Sequence, residues 1–249
     1  NIFIHKIIPI LLICFAVIIF QQRTIYISIM GILIFYGTYG SIGKKIFLYP
    51  FIFLFIIFLI SLFEIQIKGR IGDVSMAFFS EHIMSLFGFS SERTLAASGT
   101  VDQRMIWVEE LYKESLSSVS RFFLGAGYGK PLIDFGIGSG VIAREPHNSF
   151  LSLYSKMGLI GTVVWTYMHL HFFRTWNKYY QYSKLNNMND DKNKLLGFMA
   201  FILIILISGI SNSMFAQTWI ASIYYLFWGI IFRICFNIEI EKKELKTTY

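Results

Sequence analysis

The chain has 249 residues, 55% of them hydrophobic and 18% aromatic, with a formal net charge of +7 at pH 7. A mean hydropathy of +0.57 excludes an ordinary soluble domain with a charged surface. The charge excess raises nucleic acid as a partner, but its distribution along the chain argues against it.

The apolar residues come in long runs almost free of charge: Ile7–Phe20, Ile25–Tyr39, Ile46–Phe63, Met157–Phe173, Leu195–Ile210 and Trp219–Phe236. Several approach the ~17–25 residues that cross a bilayer. Backbone groups in lipid must be satisfied within their own segment, so these runs predict helices rather than strands, despite their Ile and Phe content. Lys44, Lys45, Arg174, Lys178, Lys184, Lys192, Lys194, Lys242, Lys243 and Lys246 fall in the connections on one side, against Arg23 alone in the short connections on the other. This bias sets orientation and explains the net charge without nucleic acid. The expected fold is therefore all-α: a polytopic bundle of about six membrane helices with both termini cytoplasmic.

In chain order, residues 1–64 form three membrane helices and residues 65–155 a large loop on the outer face. Residues 156–236 form three more membrane helices, and residues 237–249 a charged tail. The chain begins with Asn1 rather than Met, and is expected to be the C-terminal part of a longer protein. Cys14 and Cys235 sit inside apolar runs without metal-ligand spacing and read as buried apolar residues.

Within the outer loop, Val74–Phe89 has apolar residues at helical spacing. Asp102–Phe123 places Met105, Val108, Leu111, Tyr112, Leu116, Val119 and Phe123 on one stripe. That predicts an amphipathic helix at the membrane–water boundary, with Trp107 as an interfacial anchor. The alternative is a small soluble cap packed on itself. Leu124-Gly125-Ala126-Gly127-Tyr128-Gly129 predicts a tight turn; it fits neither a dinucleotide nor a P-loop fingerprint. The Arg174–Lys194 stretch reads as a cytoplasmic loop, and Ser211–Gln217 as a short outer turn.

Arg144-Glu145-Pro146-His147-Asn148-Ser149-Phe150-Leu151 brings an imidazole to the edge of the fourth apolar run. Ionisable groups near membrane depth are costly and mark functional sites. Arg23 and Arg104 stand on the same expected face. Arginine matches phosphate bidentately, and histidine transfers protons near neutral pH. Together the three fit an anionic, lipid-borne ligand such as a lipid-linked pyrophosphate. Each has a plainer reading: a snorkelling Arg23, a surface-paired Arg104, a hydrogen-bonded structural His147. His169 and His171 read as structural. No His and carboxylate set has metal spacing, so no protein-only metal site is expected.

The order of Gln22-Arg23, Arg104–Trp107, Leu124–Gly129, His147–Leu151 and Gly158-Leu159-Ile160-Gly161 resembles the O-antigen ligase/polymerase superfamily, over roughly Gln21 to Trp165. The resemblance implies an inner-membrane helix bundle with a periplasmic loop, transferring glycan from undecaprenyl pyrophosphate to an acceptor. It implies that Arg23 and Arg104 hold the pyrophosphate and that His147 activates the acceptor hydroxyl or orients the donor. Arg23 departs from the family pattern, which more often has Ser before and Gly after. Glu145 is an alternative base, and Asn148, Gly127 and Tyr128 are expected to line the substrate. No cofactor or metal is implied; a chain-length regulator is a conceivable partner. Two readings of other classes compete: a flippase of lipid-linked oligosaccharide, and a non-catalytic docking subunit.

Overall fold

The computed structural model describes residues 23–40, 105–128, 132 and 146–247. These residues are helical with intervening turns, and no strand occurs among them. The chain divides into two compact units, Asn1–Asp102 and Gln103–Tyr249.

In the first unit, helix α1 covers Arg23–Tyr39. Phe35 is buried there, with the Tyr39 ring 5.3 Å away. Ile27, Ile29, Met30 and Ile34 are exposed. Its apolar part, Ile27–Tyr39, is shorter than a full membrane crossing.

The second unit opens with helix α2 at residues 105–115, followed by a short α3, Val119–Leu124. Then come α4, Ser149–Leu185, and α5, Asn189–Gly209. A single 3-10 turn, Met214–Ala216, precedes α6, Thr218–Thr247.

The single amphipathic helix expected over 102–123 is broken at 116–118. Serines cause the break, because their hydroxyls compete for local backbone groups. Ser115 and Ser117 donate to the carbonyls of Tyr112 and Glu114, and Ser118 caps α3 by accepting from the Arg121 N–H. The buried face also differs from the expected stripe. Trp107, Leu111 and Ser115 face inward, while Met105, Tyr112, Leu116 and Val119 are exposed. Trp107 is not an exposed interfacial anchor: only 7% of it is accessible, and it packs with Leu111 and Leu132 against Ala126 and Leu151.

Helix α4 has 37 residues, about 55 Å of helix at 1.5 Å per residue. The stretch 174–194, expected as a loop, is helical except for the turn at 186–188. Hydropathy marks where lipid ends, and α4 simply continues beyond that point. Asn187, with φ 57, makes the reversal into α5; asparagine tolerates this left-handed conformation better than most residues.

The core is a seam where α4, α5 and α6 meet. His169, Phe172, Trp176 and Tyr180 of α4 recur at helical spacing. They meet Leu195, Met199 and Ile202 of α5, and Tyr224, Trp228, Ile231 and Cys235 of α6. Phe172 and Trp228 stack at 4.1 Å with rings 3° apart, and the Trp176 indole donates to the Leu195 carbonyl at 2.9 Å. Such ring pairs contribute about 0.5–1.5 kcal/mol beyond area burial.

Among the described residues, two helices are long and apolar enough to cross a membrane: α5, and Thr218–Glu244 of α6. The stretch 157–173 within α4 is not one of them, and the runs 7–20 and 46–63 lie outside the described residues. Only 28% of the most apolar window of α6 is buried. Its outer side carries Trp219, Tyr225, Leu226, Phe232 and Phe236. A soluble core helix buries such a surface; a lipid-facing helix leaves it outward.

Candidate functional site

His147 is the middle residue of a three-residue turn, closed by the Asn148 N–H donating to the Pro146 carbonyl at 2.7 Å. The imidazole is exposed. Its ring lies 5.7 Å from the Trp107 ring, tilted 41°. Trp107 is itself buried, so the histidine meets a fixed aromatic wall.

The residues after His147 explain why α4 begins here. The Asn148 side-chain oxygen accepts from the Phe150 and Leu151 N–H groups, each at 3.0 Å. This caps two of the four orphan donors of a helix start. Asn148 therefore has a structural task, and the capped N-terminus is no open anion site. Ser149 is buried and donates to the Asn212 carbonyl at 2.7 Å, while the Phe215 N–H reaches the Ser149 hydroxyl at 3.3 Å. The Ser213 hydroxyl donates to the Pro146 carbonyl at 2.7 Å. The turn thus rests on the connection between α5 and α6.

The glycine-rich loop packs against a kink in α4. Helix α4 is kinked at Gly158, whose φ of 65° and ψ of −169° are non-helical. At the kink the carbonyls of Ser155 and Lys156 accept from Ala126 and Gly127 N–H groups, at 2.7 and 3.0 Å. Kinked helices need such replacement partners. Gly125 has φ 76 and lies against the backbone of Lys156 and Gly158, closer than any side chain permits. Tyr128 is exposed, with the Lys156 ammonium 5.2 Å from its ring centroid. Beside this junction lies a small half-open cleft lined by Leu111, Glu114, Ser115, Arg121, Ala126 and Ser155. An Arg121–Glu114 ion pair of 3.0 Å ties α3 to α2 there.

The structure brings together His147 with Trp107, and Gly127 and Tyr128 with the Lys156 turn of α4. Arg104 and Glu145 lie outside the described residues. Arg23 opens α1, in the other unit. Among the described residues no three His, Cys, Asp or Glu side chains group as metal ligands. Sequence reasoning missed Ser149, Asn212 and Ser213. Nothing in the sequence pairs Ser149 with Asn212, or Ser213 with Pro146, across 63 and 67 positions.

A second histidine, this one buried, has partners that the sequence did not reveal. His169 Nδ1 lies 2.8 Å from the Trp165 carbonyl, and Nε2 lies 2.8 Å from the Tyr224 hydroxyl. A carbonyl only accepts, so Nδ1 carries the proton and a neutral ring accepts the Tyr224 O–H at Nε2. Rings of Trp165 and Trp228 cover it at 3.6 and 4.7 Å. This group clamps α4 to α6.

The outward apolar faces and the two helices long and apolar enough to cross a bilayer point to a helical membrane protein. Residues 8–166 match a family model described as O-antigen ligase. The match covers more than half of the chain, and the protein belongs to that family of membrane enzymes. No curated protein and no solved structure gives a match.

Proposed function

We propose that this protein transfers glycan from undecaprenyl pyrophosphate to an acceptor at the periplasmic face of the inner membrane, as a polymerase or a ligase, of which we favour the polymerase. The single observation that carries the reading is His147, an exposed imidazole on a tied turn at the start of α4, within the stretch that matches the family. His147 takes the proton from the acceptor hydroxyl. That oxygen forms the new bond to the anomeric carbon as the bond from carbon to the pyrophosphate oxygen breaks. The electron pair leaves with undecaprenyl pyrophosphate. Arg104 and Arg23 neutralise the departing charge, which is where positioned cations contribute most. Glu145 is the alternative base, Gly127 and Tyr128 contact the glycan, and the reaction requires no metal. Arg104 stands three positions before Trp107, the residue whose ring meets His147.

The topology that goes with this reading has six membrane helices, with residues 65–155 outside and both termini inside. A flippase would use ionisable groups within the bundle, and His169 is one. Both its nitrogens are engaged and aromatic rings surround it, so we favour the transferase.

The test is complementation of a null strain with wild type, His147→Ala or Arg104→Ala at matched expression, read as surface glycan length. A polymerase gives long chains with wild type and a single repeat unit on the lipid core with either variant. Bare core with polymer held on undecaprenyl carrier identifies a ligase. Wild-type ladders from both variants refute the catalytic assignment and favour a docking subunit.

A further inference from the structure

We infer that Ser213, in the connection between α5 and α6 and outside the stretch that matches the family, is a positioning residue that fixes His147 for catalysis; this rests on the role proposed above for His147. Residues 8–166 carry the family match, yet the turn bearing His147 is not self-supporting. Its apex is closed by one hydrogen bond, from Asn148 N–H to the Pro146 carbonyl. That same oxygen accepts the Ser213 hydroxyl at 2.7 Å, across 67 positions of sequence. Ser149, two residues beyond His147, is tied to the same connection by its own hydroxyl, which donates to Asn212 and accepts from Phe215. The two residues flanking His147 by one and two positions are therefore both anchored to 212–215, while the imidazole itself is exposed.

The geometry assigns different work to the two serines. Ser149 is buried and packs beside Gly209. Removing it disturbs the helix junction as a whole. Ser213 is only partly buried and donates one bond to one oxygen. Its loss frees the turn while leaving α5 and α6 packed along their seam. A catalytic group needs its rotamer and backbone held by neighbours that do no chemistry. Small displacements of such a group lower turnover more than they weaken substrate binding.

The experiment uses the full chain in detergent micelles, with lipid-linked oligosaccharide extracted from membranes of the null strain as substrate. Wild type, Ser213→Ala, Ser213→Thr and His147→Ala are compared for kcat, KM and amide hydrogen exchange over 146–152. Ser222→Ala, an exposed serine bonded only within α6, serves as control. Ser213→Ala is expected to lower kcat about fivefold, the factor matching one lost hydrogen bond, with KM nearly unchanged. Exchange at the Asn148 amide is expected to quicken. Ser213→Thr, which keeps the hydroxyl, restores both, and Ser222→Ala changes neither. Unchanged exchange in Ser213→Ala overturns the inference, as does quickened exchange with wild-type kcat while His147→Ala is inactive. If His147→Ala keeps wild-type kcat, the functional reading falls instead, and with it any catalytic role for Ser213. A Ser213→Ala protein that fails to fold, with Ser213→Thr folded and active, also overturns it, since the serine then holds the fold rather than the turn.

Discussion

Gly158→Ala is the sharpest perturbation of the junction between the glycine-rich loop and α4. A methyl group there would stand 2.5 Å from the Gly125 nitrogen and closer still to the Phe123 carbonyl. Both neighbours are backbone, so no side-chain rotation relieves the clash. The conformation adds its own cost, since φ 65 with ψ −169 is almost reserved for glycine; that strain is about 1–3 kcal/mol. Moving the loop away breaks Ala126 N–H to Ser155 carbonyl and Gly127 N–H to Lys156 carbonyl, at about 1 kcal/mol each. The total is roughly 3–5 kcal/mol, a large part of the ~5–15 kcal/mol typical of a folded domain. Unfolding in mixed micelles, followed by tryptophan fluorescence, measures it. Gly197→Ala is the matched control, because a Cβ at Gly197 meets nothing within 4 Å and alanine is the better helix former by about 0.5–1 kcal/mol. A Gly158→Ala protein within about 1 kcal/mol of wild type would refute the close approach and the kink argument together.

Asn148→Ala removes an acceptor that satisfies two N–H groups and is expected to cost about 1 kcal/mol of stability, measured by the same unfolding assay; Asn148→Asp, an equally good cap, should retain it. Tyr224→Phe deletes the hydroxyl on His169 Nε2 and leaves a buried acceptor without its donor, for an expected loss of about 1–3 kcal/mol. Trp107→Ala empties the cluster with Leu111 and Leu132, and a loss of about 3–5 kcal/mol should accompany lowered glycan transfer, read as shortened surface chains.

The helical class and the position of the polar turn were legible because both follow from hydropathy: long apolar runs, and a Pro-His-Asn-Ser sequence at the edge of one. The inward face of residues 105–115 was not. Periodicity there offers two apolar faces, Met105/Val108/Tyr112 and Trp107/Leu111. In water the polar face would mark the outside. Beside lipid both faces are apolar, so spacing alone cannot choose. The end of α4 was hidden for a related reason. Lys178 and Lys184 announce the end of the apolar stretch, yet straight-chain basic residues favour helix, and the helix runs on to Leu185. The break at 116–118, by contrast, was written in Ser115, Ser117 and Ser118, which compete for backbone hydrogen bonds.

What remained invisible is the pairing of sequence-distant polar groups, and it changes how the His-Asn-Ser sequence is to be understood. Asn148, next to His147, was expected to line the substrate, and Ser149 was assigned no role. Asn148 instead spends its oxygen on the helix start, and Ser149 spends its hydroxyl on Asn212 and Phe215. These oxygens hold the turn, and the imidazole beside them is exposed. The glycine-rich loop follows the same logic. Gly127 and Ala126 give their N–H groups to carbonyls released by the kink, so they cannot also cradle a phosphate with those donors. A polar motif at a membrane edge therefore divides its groups between support and chemistry. Substitution of the supporting residues should act on stability and on His147 geometry, while substitution of His147 should act on turnover with the helix start intact.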